Sequence, residues 1–321
     1  MRIVQQLSIG SRSANAITVS QGIVWVAAQG PVYGDEGRLL RIDASTARQT
    51  ASWVVGGDPV AVSAAANYVW VANSFGDGSI ALPSENTVMQ FNAATGALVH
   101  TYRIESPAAV VANGNGALVA SLQANGPTDI YRLTAGRSAL VATVPGLLFG
   151  PSGSDQTAVA VCSGQVYLGV TELSPGQSIH VYALPLRGGP ARPLATIQGA
   201  YWPVMTCDSN WLYVFDGAGD LPVLVNPVDG RMSTMPEGSG ASAVAFESGF
   251  IWQLHNAYGP SGSLGSEGYL TALDPNTGLE SSSRLTIPST AASEVFLLAP
   301  AASGLWVVGG NEALLLHVTF G

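Results

Sequence analysis

Asn67-Tyr68-Val69-Trp70-Val71 is a small turn followed by an apolar strand with a bulky residue at its middle. The same phrase returns along the whole chain. It reads Gly22-Ile23-Val24-Trp25-Val26, then Gly116-Ala117-Leu118-Val119, then Gly164-Gln165-Val166-Tyr167-Leu168. It continues as Trp211-Leu212-Tyr213-Val214, Gly249-Phe250-Ile251-Trp252 and Gly304-Leu305-Trp306-Val307. The central residues stand at 25, 70, 118, 167, 213, 252 and 306, so the spacing runs from 39 to 54 residues. A repeat of about 45 residues is the length of one four-stranded propeller blade.

Working outward, a short alternating strand precedes each phrase, such as Ile17-Thr18-Val19 or Val159-Ala160-Val161. A second hairpin follows each of the first six. Thr87 to Asn92 turns at Ala94-Thr95-Gly96, and Tyr269 to Leu273 turns at Asp274-Pro275-Asn276-Thr277-Gly278. Proline presets one turn dihedral and glycine accepts a positive φ, so these tips have a physical cause. The seventh unit has only one strand after Trp306, Ala313 to Thr319, while Ile3 to Ile9 is an orphan strand at the other end. Pairing the two completes the blade and removes the exposed edges of an open sheet. The expected fold is all-β: one domain over 1–321, a seven-bladed β-propeller of four-stranded antiparallel blades. The blades are expected at about 16–54, 59–104, 108–145, 156–197, 203–236, 242–287 and 294–320, the last completed by 2–9.

Composition agrees. Of 321 residues, 47% are hydrophobic, 10% are charged and 38 are glycine. All 12 basic residues are arginine, against 21 acids, for a net charge of −9. That balance argues against a nucleic-acid binder, which needs cations in excess to neutralise phosphates. No apolar run approaches the ~20 residues of a membrane span, so this segment is not expected to insert in a membrane. The start, Met1 to Leu7, has no apolar stretch of a secretory leader. The low charge fraction favours an extracytoplasmic setting, secreted or at the cell envelope.

The phrase Asp58-Pro59-Val60-Ala61-Val62, with Tyr68-Val69-Trp70-Val71-Ala72-Asn73 and Thr87-Val88-Met89-Gln90-Phe91-Asn92-Ala93-Ala94-Thr95-Gly96, resembles the YVTN-type β-propeller repeat. That superfamily includes virginiamycin B lyase-like propellers, and the resemblance covers the whole chain as an architecture. It implies the fold and leaves the function open among binding domains, scaffolds and enzymes. The lyase-like members use histidine and glutamate with a metal at the mouth. Here the histidine assigned to the mouth is His255, with Glu172, Glu237 and Glu267 as carboxylates; His100, His180 and His317 fall in strands. No Glu-x-His pair is present.

Up-and-down alternation sends the second-to-third and blade-to-blade loops to one face, here called upper. These loops are long, as in 28–37, 73–86, 170–177 and 255–268, and the opposite turns are tight. Long loops on a rigid scaffold carry function. Most acids are assigned to the upper side, including Glu36, Asp58, Glu105, Glu172, Asp216 and Glu237, with Asp43, Asp208, Asp229, Glu247, Asp274 and Glu280 below. An acidic mouth concentrates cations and basic partners.

Three residues past the repeat centre, the second strand leaves toward this mouth, at Asn73, Ser121, Asp216 and His255 among others. Asp216 and His255 sit in adjacent blades and are the candidate acid/base pair. The aromatics Phe75, Tyr201, Trp202 and Tyr258 join Asn73, Glu172, Asp216 and His255 as candidate ligand contacts, since rings beside carboxylates suit sugars and organic cations. Asn73-Ser74-Phe75-Gly76-Asp77-Gly78 has the oxygen-rich character of a calcium or magnesium loop, with Asn73 and Asp77 as ligands. No zinc or phosphate-loop pattern occurs. Cys162 and Cys207 end inner strands of adjacent blades, where the expected spacing exceeds the ~5.5 Å that a disulfide prefers, so two thiols are expected. The leading function is a non-enzymatic binding or scaffold propeller whose partner is a protein, a glycan or a cationic small molecule. The alternative is a lyase or hydrolase at the channel mouth, with a His/carboxylate pair and a divalent cation.

Overall fold

The structure is a computed structural model. It describes all residues except 11–12, 31–35, 75–85, 123–125, 149–154, 173–176, 201, 218–221, 239–240, 259–263, 289–295, 310–313 and 321, and gives the backbone alone at 256–258, 264–267, 288, 296 and 309. Seven antiparallel sheets follow one another around a β-propeller. Blade 1 runs Ala14–Ser20, Ile23–Ala28, Arg38–Asp43 and Arg48–Val54; blade 2 runs Asp58–Ala65, Tyr68–Ser74, Thr87–Asn92 and Leu98–Arg103. Blade 3 is Pro107–Asn113, Gly116–Leu122, Thr128–Thr134 and Arg137–Val144. Blade 4 is Val159–Cys162, Gln165–Glu172, Ser178–Pro185 and Arg192–Gln198, with Leu147–Leu148 added beside its second strand. Blade 5 is Pro203–Cys207, Leu212–Asp216, Val223–Val225 and Met232–Thr234. Blade 6 is Ala243–Glu247, Phe250–Tyr258, Leu264–Leu273 and Leu285–Pro288. Blade 7 is Phe296–Ala301, Gly304–Gly309 and Leu314–Thr319, completed by Arg2–Ser8 from the other end of the chain. Among the described residues, no helix is long and apolar enough to cross a membrane.

The repeat phrase forms the second strand of each blade because both faces of that strand are covered by neighbouring blades. Its runs are therefore apolar throughout rather than alternating. Trp25, Trp70, Tyr167, Tyr213, Trp252 and Trp306 are all buried at its centre. Closure of blade 7 pairs Gln6 with Leu316 and Leu7 with Leu315. His317 supports the same closure: it stacks on Trp306 at 4.6 Å and its Nδ1 meets Gln5 Oε1 at 3.3 Å.

The lower turns use acids and amides as turn-makers. Asp43, Asn92, Asn226 and Asp274 each accept the backbone N–H two residues on. The hydroxyls of Ser45 and Thr46 and the backbone N–H of Thr46 hold the Asp43 carboxyl down at about 2. Several of these turns also fasten to the blade before. Tyr102 Oη accepts from Gly136 N–H at 3.0 Å, Arg192 donates to the Pro227 carbonyl at 3.3 Å, and Gln5 donates to the Ser45 carbonyl at 3.3 Å. Gly96 lies over the Trp53 ring at φ +70°, where an added Cβ would run into the indole.

Two expectations are corrected. Cys162 and Cys207 form a disulfide, with Cα atoms 6.2 Å apart. Bonded cysteines span roughly 4.4–6.8 Å, so side-by-side inner strands come within reach, contrary to the spacing assumed from sequence. Glu237, assigned to the upper face, accepts the backbone N–H of Glu280 at 2.7 Å, and Glu280 follows the outer turn of blade 6. Sheet twist turns the outer strand away from the axis, so its far end meets a neighbour's lower turn rather than the mouth.

Candidate functional site

Three of the residues that stand three past a repeat centre, Asn73, Ser121 and Asp216, share a local task. Asn73 Oδ1 accepts the N–H of Gly56 at 3.0 Å, and its Nδ2 donates to Thr87 Oγ1 at 3.2 Å. Ser121 Oγ donates to the Glu105 carbonyl. Asp216 Oδ1 accepts the N–H of Trp202 at 3.1 Å. The bonds to Gly56, Glu105 and Trp202 each tie the end of the second strand to the segment that enters the same blade's inner strand, and the Asn73–Thr87 bond ties it to the third strand. All three side chains are buried, so burial and a backbone partner go together here.

Asp216 and His255 stand on faces turned toward different blades. Asp216 shares its side of the strand with Val214, which packs against Tyr167, Ile179 and Val181 of blade 4. His255 shares its side with Ile251, which packs against Tyr213 and Phe215 of blade 5. The sheet of blade 5 lies between those faces. His255 Nε2 meets Thr271 Oγ1 at 3.1 Å, and its ring stacks on Tyr269 at 4.6 Å. The Arg284 guanidinium lies 4.7 Å from the Tyr269 ring centroid.

A different histidine meets a glutamate. His180 Nε2 lies 2.9 Å from Glu172 Oε2 and 3.0 Å from Ser178 Oγ, while Nδ1 meets Thr196 Oγ1 at 3.1 Å. Serine and carboxylate address the same ring nitrogen. A nucleophile triad needs them on opposite nitrogens, so this is not a serine-activating relay. In the sequence His180 reads only as a strand residue. The available signal was its place two residues into a strand whose hairpin partner ends at Glu172, which makes the two diagonal neighbours.

Phe75, Asp77 and Tyr201 lie outside the described residues, as does the side chain of Tyr258. Among the described residues, no three His, Cys, Asp or Glu side chains gather to hold a metal. Calcium takes six to eight oxygen ligands. Asn73 uses its amide inside blade 2 in the two bonds given above.

Asp216 also faces a cavity. An opening of about 280 Å³ lies between blades 4 and 5, walled by Ile179, Ile197, Val214 and Val223, with Asp216, Gln198 and Thr234 as its polar groups. It opens where blade 5 is short: its outer strands have three residues each, against eight and seven in blade 4. The 39-residue interval between Tyr213 and Trp252, the shortest in the chain, is the sequence signal of that truncation.

Neither a protein-family model nor a curated protein sequence matches this chain. Solved structures do. Hydrazine synthase of Kuenenia stuttgartiensis aligns over 98% of this chain and 97% of its own, with TM-score 0.66 and 10% identity. BamB from Moraxella catarrhalis aligns over 96% and 85%, with TM-score 0.57 and 16% identity. A chain of a nidogen/laminin complex aligns over 86% and 97%, with TM-score 0.52 and 14% identity. The likeness is one of fold. At such identities it carries no site residue from those proteins to this one.

Proposed function

We propose that this chain is a non-enzymatic binding propeller of YVTN-like repeats, working outside the cytoplasm and taking a partner with basic groups on its long-loop face. The observation that carries the reading is the set of exposed carboxylates at strand ends on that side, Glu36, Glu105 and Glu172. They sit on the connections that antiparallel order sends to the upper face, together with Arg38 and Arg103. Exposed carboxylates on one side of a molecule raise the local concentration of cationic groups and speed their encounter, and that attraction is screened by salt. The Cys162–Cys207 disulfide supports the compartment, because such bonds persist where thiols are not kept reduced. The nidogen/laminin complex, by its description, holds a propeller of similar fold in a protein assembly.

The test is retention of partners from a cell-envelope extract by immobilised protein. Glu36→Gln/Glu105→Gln/Glu172→Gln is compared with a lower-turn control, Asp229→Asn. The reading expects a partner that is held by the wild type and the control, is lost by the triple variant and elutes with salt. Equal retention by all three proteins overturns it.

A further inference from the structure

The seam between blades 4 and 5 differs from an ordinary packed interface in two ways. It is open, with a cavity of about 280 Å³, and it is clamped, with Cys162 and Cys207 joining the two inner strands. The clamp joins the ends of the inner strands, while the opening lies between the third and outer strands of blade 4 and the second, third and outer strands of blade 5. A gap that is open without a ligand is pre-formed, and pre-formed sites lose less free energy on binding.

Its lining has a definite chemistry. The four aliphatic walls named above suit a hydrocarbon chain or ring. Asp216, only 5% exposed, brings a carboxylate into this apolar space. One of its oxygens already accepts the Trp202 N–H. A carboxylate has about four acceptor positions, so it accepts from several donors at once. Gln198 and Thr234 add an amide and a hydroxyl at the cavity wall. One carboxylate among aliphatic walls is a poor calcium site and a good site for an organic ammonium group, which brings the opposite charge and its own apolar body.

We propose that the blade 4–5 seam is a binding site for a small organic amine, its ammonium group on Asp216 and its hydrocarbon part between Ile179, Ile197, Val214 and Val223. This deepens the binding-propeller reading, on which it rests, by naming a ligand class and a place. The probe is hexylammonium, titrated by calorimetry into the full oxidised chain, with 1-hexanol and hexanoate as neutral and anionic matches. The expected result is saturable binding of hexylammonium, weaker binding of hexanol and none of hexanoate. Asp216→Asn keeps an acceptor for Trp202 N–H and weakens hexylammonium at least tenfold. Val223→Phe fills the cavity, leaves Asp216 and the rim acids in place, and abolishes binding while the protein keeps its unfolding temperature. No binding of hexylammonium, equal binding of all three probes, or binding unchanged in both variants overturns the proposal. If the amine fails while the envelope partner is still retained through Glu36, Glu105 and Glu172, this inference falls and the rim reading stands. If the amine binds and rim retention fails, the reverse holds.

Discussion

Blade 4 has two faces, and they are built differently. Toward blade 3, Val166, Leu168, Val170 and Leu184 close on Ala109, Val111, Leu118 and Ile130, leaving a void of only about 10 Å³. Toward blade 5, Ile179 and Val181 meet Val214 and Leu212, but the outer half opens to about 280 Å³ and a disulfide joins the inner strands. The same strands of the same blade supply both faces. The difference comes from the neighbour. Blade 3 offers outer strands of seven and eight residues, blade 5 two of three. Close packing is available only where the partner supplies side chains to fill the layer. Where it does not, the seam keeps an opening, and a disulfide joins the inner strands of the same two blades.

The largest effect expected from that contrast is loss of the tie. Cys162→Ala/Cys207→Ala opens a loop with a sequence separation of 45. The chain-entropy relation then gives a loss of about 4 kcal/mol, read as a lower denaturant midpoint. Reducing the wild type should lower its midpoint by a similar amount, and an unchanged midpoint would erase the distinction between the seams. Next comes packing. Leu168→Ala, in the filled seam, should cost about 3 kcal/mol, within the range of large-to-small core changes. Ile197→Ala borders an opening and is only half-buried, so about 1 kcal/mol is expected. Equal losses would mean that the two seams are packed alike.

A smaller effect concerns the closing blade as a third kind of junction. Burial pushes the His317 imidazole below its usual 6.5. A base with a lowered folded-state pKa adds stability that is present above 6.5 and is lost as pH falls through the folded value. Stability should therefore decline on acidification below 6.5, and His317→Gln should reduce that decline. An identical pH profile in the variant would remove His317 from the account. At the alkaline end, burial first, and then Asp208, push the Tyr213 hydroxyl well above 10. Stability tied to its proton is present below 10 and is lost as pH rises toward the folded value. Tyr213→Phe should soften that alkaline decline, measured by denaturant titration between pH 9 and 11.

The fold was legible because Trp25, Trp70 and Trp306 recur at one phase of a repeat, and one phase means one burial environment. The orphan strand beside Gln5 and Gln6 was legible because a ring must close. The site was less so. Asp216 and His255 share a repeat position, and that equivalence turns both toward the preceding blade rather than toward each other. The disulfide was hidden by an assumed strand spacing, although Cys162 stands five residues before the repeat centre Tyr167 and Cys207 six before Tyr213, an offset of one that turns the two side chains to opposite faces and so toward each other. The cavity arises from strands that are absent in length, and only the short Tyr213-to-Trp252 interval announces it.

The central claim is that the blade 4–5 seam is a clamped, ligand-sized opening. A crystal structure of the oxidised chain soaked with hexylammonium tests it most directly. The account predicts a bonded Cys162–Cys207 pair and density for the hexyl chain between Ile197 and Val223, with its nitrogen within hydrogen-bonding distance of Asp216. A closed seam, unbonded cysteines, or the amine seated only on the rim would contradict it.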